Sequence, residues 1–553
     1  KTETEPQARK FLSMISSAAR QVPAKPPRNF YEGLAALLFL REAISSLESI
    51  GVSVLGHADR LLGALLEQDL KTGALTVAEA KDLIARWMLH TDVKFHIEDN
   101  TWPETSTCLE LGGCDANGTP IFNEATRLFI ETHKECSLLN PKLNCRVSAS
   151  SPEEYLRLLG RCASTGHNNF TFLNDDVLIP ACVKAGKTLA DARRYVNGGC
   201  QETIVEGVEH SAGAYYYFNM ARLLEIYLRP YAKEAMGDGA RAALPSQLET
   251  PSDFESFYRK FLEALKHAIS AGAGWARTAA EKWPECHPCP LFSSAIEGCL
   301  EHAADYTEGS AKYNPATVPL VGFAPIADSL LAIRKAVYED KALSLDELRA
   351  LLAANWKDNE NLRLKMLSMP KFGHGDAQAD AFAGRLASDI ASLIRPMTNE
   401  RGGHFQPSFF VYYAFQWFAE STRATPDGRH EGELLSQGVA PSRLNPPEST
   451  TSLLNSLASL DMTEYPANAV TDLQIPLFKD DGLRMTALIK SFCKLGGATL
   501  QPNCVSIEAL RDAQKNPAAH NELIVRISGL SAKFVALTKE VQDEIIARAM
   551  PAA

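Results

Sequence analysis

"NELIVRISGLSAKF", residues 521–534, decides how the rest of the chain is read. Ile524, Val525 and Ile527 predict a buried strand that breaks at Ser528-Gly529 and restarts as a short helix near the C-terminus. Most glycines at such a break cap a helix or make a turn. This one follows core material, so its tip is expected inside the protein. A glycine Cα carries two hydrogens and no side chain. Losing one hydrogen leaves a backbone radical delocalised over the flanking amides, so a buried glycine can store an unpaired electron.

Working outward, helical periodicity dominates. "NFYEGLAALLFLREAISSLESI" (29–50), "DFESFYRKFLEALKHAISAGAGWA" (253–276) and "IADSLLAIRKAVYEDKALSLDELRALLAANW" (326–356) space apolar residues by three and four. Between them stand short strand-like pieces ending in turns: "NCRVSAS" (144–150), "NFTFLNDD" (169–176), "RRYVNGGC" (193–200) and "LIVRISG" (523–529). Strands alternating with long helices predict an α/β fold whose strands are mostly parallel and buried. The segment 424–450, rich in Pro, Gly and polar residues, reads as one long surface loop.

Composition excludes several classes. The chain has 553 residues and a net charge of −11, without a basic run, which argues against nucleic acid and anionic membranes as partners. No stretch approaches the ~18 consecutive apolar residues of a membrane span. The first 21 residues read as a polar helix and not as a signal peptide. Twelve cysteines without regular spacing suit a reducing cytoplasm better than a disulfide scaffold. The pair Cys286-His-Pro-Cys289 has no partner pair at zinc-ribbon spacing, so no metal site is expected.

In "VNGGCQETIVEG" (196–207) two glycines precede Cys200, and Glu202 follows at i+2. If the tip is extended, thiol and carboxylate share a face, roughly 6 to 7 Å apart at about 3.3 Å rise per residue. They would then address one substrate. A small buried thiol beside a solvated loop acid fits the same spacing, and the spacing alone leaves both readings open.

Together, Cys-Gln-Glu at 200–202 and "RISGLSAKF" at 526–534 resemble the glycyl radical enzymes, whose motifs are Gly-Cys-x-Glu and Arg-Val-x-Gly-Tyr-Ser-Ala. "GGCDANGTPIFNEAT" (112–126), "FLNDDVLIP" (172–180), "LFSSAIEGCLEHAADYTEGSAKYN" (291–314), "ADSLLAIRK" (327–335), "ERGGHF" (400–405), "ATPDGR" (424–429) and "VQDEIIAR" (541–548) look like landmarks of that family in family order. The resemblance implies an α/β barrel of ten strands in two five-stranded half-sheets, wrapped in helices, with a Cys loop and a Gly-radical loop at its centre. Residues 1–430 would form the barrel domain, N-terminally short, and residues 431–553 a C-terminal glycine radical domain of the same barrel. Two readings fit that short start equally: a sequence that begins late, or a short variant with a more open barrel.

The resemblance also implies the chemistry. A separate activating enzyme, using S-adenosylmethionine and an iron–sulfur cluster, would place the radical on Gly529, so no cofactor need be bound to this chain. Cys200 would become the thiyl that takes hydrogen from a small-molecule substrate, and Glu202 the base. The expected setting is an anaerobic, cytoplasmic, oxygen-sensitive homodimer.

Departures from the family's branches narrow the reaction. Gly199 stands where the acyl-transferring members carry a second cysteine, and the C-terminus lacks the four-cysteine zinc site of the anaerobic ribonucleotide reductases. The C-x-E pattern resembles the lyase, dehydratase and decarboxylase branch. Diol dehydratases place Asp fourteen residues after the cysteine, where this chain has Ala214, so a vicinal diol is disfavoured. Tyr217 matches a tyrosine in sites that cleave choline. Within "FFVYYAFQWFAE" (409–420), read as a buried strand or helix edge, Phe415 and Gln416 are the pocket candidates. An aromatic lining keeps an arylacetate decarboxylase as the alternative reaction, and an inactive metabolite-binding barrel as the alternative of another class.

Overall fold

The computed structural model describes residues 5–51, 53–92, 107–210, 215–228, 251–444, 446–527 and 529–549. Thirteen strands are found among them: β1 Val54–His57, β2 Cys108–Gly112, β3 Lys142–Val147, β4 Phe170–Asn174, β5 Tyr195–Asn197, β6 Thr203–Val205, β7 Phe218–Asn219, β8 Ala316–Val321, β9 Phe405–Ser408, β10 Val470–Ile475, β11 Thr499–Cys504, β12 Ile524–Ile527 and β13 Leu530–Lys533.

Strands β1-β2-β3-β4-β11-β10 form one sheet and β7-β8-β9 another. Every pairing in the two sheets is parallel except β4 with β11, which run antiparallel. A parallel bridge, Phe409 to Ala469, links the end of β9 to the start of β10. The described strands therefore fall into a parallel half of four (β1–β4) and a parallel half of five (β11, β10, β9, β8, β7), meeting at an antiparallel seam. The α/β fold is as expected, and nine of the ten expected barrel strands are found among the described residues.

The strand sequences explain why this sheet is covered on one side and occupied on the other. Leu109, Leu111, Leu143, Cys145, Phe170, Phe172 and Leu500 share one apolar core with the helices outside, among them Phe30–Glu48, Glu124–Glu135 and Phe254–Ala280. The alternate positions are polar, and all those named here are buried except the half-buried Asp472. Glu110 lies opposite Asn144, Asn144 opposite Thr171, and Asp472 opposite Gln501; the antiparallel register at Leu173 and Thr499 completes the row by setting Thr171 against Gln501. A sheet buried on both faces normally reads as continuous apolar residues. Here the period-2 alternation marks an inner face whose polar groups must find partners, and the β5–β6 and β12–β13 hairpins supply them.

Three sequence expectations change. The segment 530–533 is strand β13, antiparallel to β12, and not the start of a helix. Its alternation decides this: Leu530 and Ala532 pack into the core, while Ser531 bonds back to Arg526. The stretch 326–356 is not one helix; it runs as Phe323–Ile333, a wide turn to Glu339, and a new helix at Leu345–Ala353. A capping box between Ser344 and Glu347 starts that second helix. The segment 424–450 is not a surface loop throughout, since Thr425, Asp427, Arg429, Leu435 and Val439 are buried. Arg429 holds it inside by donating to the backbone carbonyls of Thr422 at 3.0 Å and Glu433 at 2.6 Å.

Candidate active site

The first central hairpin pairs Tyr195 with Val205, Val196 with Ile204, and Asn197 with Thr203. Its tip is a tight turn and not an extended strand. Gly198 donates its N–H to the Glu202 carbonyl at 2.6 Å, Gly199 to Asn197 at 3.1 Å, and Cys200 to Gly198 at 2.7 Å. Gly199 sits at φ +73°, a conformation that side chains resist. The turn, and not strand alternation, brings Cys200 and Glu202 together: both act on the Tyr217 phenol, whose pKa is raised by burial first and then by these two groups.

Below the tip, the inner face of the sheet grips the hairpin. Glu110 Oε1 accepts from the Asn197 N–H at 2.7 Å and from Asn144 Nδ2 at 2.8 Å. Burial pushes the Glu110 carboxyl up to about 8, so it holds its proton at neutral pH. The Cys108 thiol donates to the Asn197 carbonyl at 3.3 Å. Arg146 donates to the carbonyls of Arg193 at 2.8 Å and Tyr195 at 3.3 Å, and binds both oxygens of Asp175 at 2.8 Å.

The second hairpin opposes Arg526 to Ser531 and Ile527 to Leu530. Gly529 at its tip is buried, with φ +89°. Its N–H donates to Gln501 Oε1 at 3.0 Å. A Cβ built on Gly529 would lie 3.1 Å from the side-chain amide of Gln201, the residue next to Cys200. The two hairpins thus meet tip to tip. Asn468 fixes the meeting by donating to the Gln201 carbonyl at 2.7 Å. Arg526, fully buried, donates to Thr171 Oγ1 at 2.7 Å and Ser531 Oγ at 2.9 Å. Asn168 clamps the stem through the carbonyls of Ile524 at 2.9 Å and Cys504 at 3.0 Å.

Glu202 is half-buried, and burial raises its pKa against the pull of nearby backbone N–H groups and the Lys142 charge. Tyr217 lies beside Phe410, with ring centroids 6.2 Å apart, and is electrostatically coupled to Tyr412. Phe415 is enclosed in the apolar cluster on which Cys200 and Tyr217 pack, with the Arg443 guanidinium 4.7 Å from its ring centroid. Gln416 is half-buried in the first turn of the helix Ala414–Ser421. The stretch 409–420 is accordingly an irregular segment followed by a helix, and Ala214 lies outside the described residues.

Sequence reasoning did not single out Gln201, Gln501, Lys142 or Tyr412. Tyr412 takes φ +44°, which is costly for an aromatic residue. A signal for Gln501 and Lys142 was present, since each stands among the polar residues that alternate with core residues in its strand. A cavity of about 1600 Å³ borders the second hairpin, lined by Arg526, Gln501, Asn503, Asp472 and Arg443. Cys200, Glu202 and Tyr217 are not among its lining residues, so it is distinct from the space those side chains face.

Comparison with known proteins accords with this geometry. Residues 1–418 match the pyruvate formate lyase-like family and residues 435–535 the glycine radical family. The trans-4-hydroxy-L-proline dehydratase of Clostridioides difficile is 27% identical, aligned over 99% of this chain and 70% of its own length. The isethionate sulfite-lyase of Nitratidesulfovibrio vulgaris is 28% identical over 99% and 68%. Among solved structures, a glycyl radical enzyme from Archaeoglobus fulgidus superposes with a TM-score of 0.92 at 28% identity, covering 100% of this chain and 72% of that one. A Roseburia inulinivorans structure from work on 1,2-propanediol dehydration also gives 0.92, at 26% identity over 99% and 70%.

Proposed function

This chain belongs to the pyruvate formate lyase-like glycyl radical enzymes, and from that premise we propose that it removes a leaving group from a small organic molecule, using Gly529, Cys200 and Glu202. The observation that carries the reading is the tip-to-tip meeting of the hairpins, with Gly529 against Gln201, the neighbour of Cys200. Hydrogen transfer needs its reacting atoms at roughly 3 to 3.5 Å, so a relay between two loops demands this closeness.

The Gly529 Cα radical takes the hydrogen atom of the Cys200 thiol, leaving a thiyl at Sγ. The thiyl takes a hydrogen atom from a substrate carbon. Glu202 accepts the proton of a hydroxyl or similar group, and the substrate radical expels its leaving group with the bonding electron pair. The product radical then recovers the hydrogen atom from Cys200, the thiyl takes one back from Gly529, which regains the unpaired electron, and Glu202 passes its proton to the expelled anion. Glycyl radical enzymes depend on a separate activating enzyme; we take it to be of the S-adenosylmethionine and iron–sulfur type, so the scheme needs no cofactor bound to this chain. Residues 431–553 would be the part that carries the radical glycine. None of the twelve cysteines is in a disulfide, which supports work in a reducing compartment, taken to be the cytoplasm. A homodimer, expected from the family, is checked by sedimentation.

The test is anaerobic incubation with an activating enzyme, followed by electron paramagnetic resonance and a substrate panel. A doublet from the remaining α-hydrogen of Gly529, with elimination of trans-4-hydroxy-L-proline, isethionate or 1,2-propanediol, supports the reading. Carbon dioxide released from an arylacetate alone would move the enzyme to the decarboxylases. No doublet, under conditions that activate a control protein, would leave a binding barrel.

A further inference from the structure

The inner face of the sheet carries a cation to which the scheme above gives no task. Lys142 is the first residue of β3, and its side chain is fully buried. It lies in register beside Cys108 of β2, and two residues before Asn144. Asn144 and Arg146 both bond on the inner face, to Glu110 and to the β5 backbone. Strand alternation therefore turns Lys142 to that same face. The adjacent Cys108 thiol reaches the Asn197 carbonyl, where the tip turn begins, at 3.3 Å. The rung formed by Cys108 and Lys142 thus lies against the turn that carries Cys200 and Glu202.

We infer that Lys142 is a positioning residue, the counter-charge that keeps Glu202 ionised and oriented as the base. This deepens the proposed function and rests on its reading of Glu202. A buried carboxyl prefers to stay neutral, yet a general base must start ionised. Charge–charge attraction is strongest where water is excluded, so a buried ammonium is the efficient remedy. Around it stand Cys200 on the same hairpin and the Tyr217 phenol from the segment before β7, raised by burial and by Glu202, while Cys108 and Glu110 of β2 hold the Asn197 end of the turn. Glu110, pushed up to about 8, holds its own proton near pH 7. The Lys142 charge lowers both the Glu202 carboxyl and the Cys108 thiol.

The test needs neither substrate nor activating enzyme. Infrared titration of the carboxyl band in the unactivated full chain, with Glu202→Gln as the subtraction reference, reads the protonation midpoint of Glu202 directly. Lys142→Met should raise that midpoint by about one pH unit or more, and Lys142→Arg should restore it. Melting curves confirm that each variant is folded, and Lys142→Gln replaces the Met variant if that one melts early. An unmoved midpoint in a folded Lys142→Met or Lys142→Gln protein overturns the inference. The underlying reading fails separately: if activated Glu202→Gln eliminates at the wild-type rate, Glu202 is not the base, whatever the midpoint does.

Discussion

At the scale of single residues, the proposed roles separate cleanly because each group handles a different particle. Cys200 would move hydrogen atoms and Glu202 a proton. Cys200→Ser should therefore still accept the glycyl radical, since Gly529 is activated independently, but turn over no substrate. An O–H bond is too strong for the serine to relay the hydrogen. Glu202→Gln should keep exchanging hydrogen between substrate and Cys200 while elimination falls about 10²- to 10⁴-fold, the usual contribution of a general base. Paramagnetic resonance checks the first expectation, and deuterium wash-in with product assay the second. Wild-type turnover by Cys200→Ser would remove the thiyl from the scheme. Cys200, Glu202 and Gly529 were picked out in the sequence by the resemblance of two short strings to a known family, since spacing alone left the first two open. Gln201 was not, because its significance is a contact with Gly529, more than 300 positions away in the chain. Nor was the tip turn, whose hydrogen bonds replace the extended geometry that spacing suggested.

At the scale of elements, the polar row along the inner face turns a sheet into a holder for two hairpins. Arg146 is its strongest anchor, tying β3 to Asp175 and to the backbone of β5. Arg146→Met would leave Asp175 as a buried charge without its guanidinium, which costs about 3–5 kcal/mol. Denaturant unfolding should show that loss, along with weaker hydrogen-exchange protection in Tyr195–Val205. Glu110 gives a pH signature. Its carboxyl titrates at about 8 in the folded protein against an ordinary 4.5. Its contribution to stability is therefore fully present below pH 4.5 and is lost as pH rises through about 8. Glu110→Gln keeps an oxygen for the Asn197 N–H and cannot ionise, so its melting temperature should fall less between about pH 5 and 9 than that of wild type. Strands β3, β4, β5 and β12 were legible as short pieces ending in turns, yet β13 was mistaken for a helix. "LSAKF" carries too few residues to reveal a period, and pairing with β12 overrides local preference.

At the scale of the whole molecule, the fold buries its candidate radical carbon. Gly529 is enclosed between Gln501 behind it and Gln201 ahead, at the end of a hairpin whose core side includes Val525, Ile527 and Leu530. Which strands pair was not legible from composition or periodicity, since pairing depends on contacts between distant segments. The need for enclosure was, because dioxygen adds to a carbon radical and the resulting peroxyl breaks the backbone at that residue. Activated protein exposed to air should therefore split at Gly529, giving a small piece from Leu530 to the C-terminus and a nearly full-length remainder, both visible by mass spectrometry. Unactivated protein should stay whole. Gly529→Ala should also stay whole, and it should melt earlier. Its methyl group would meet the Gln201 amide at 3.1 Å, and φ +89° costs a side chain about 1–2 kcal/mol. If activated and unactivated samples both survive air while a glycyl radical enzyme cleaves beside them, Gly529 is a turn residue. The enclosure would then serve packing alone.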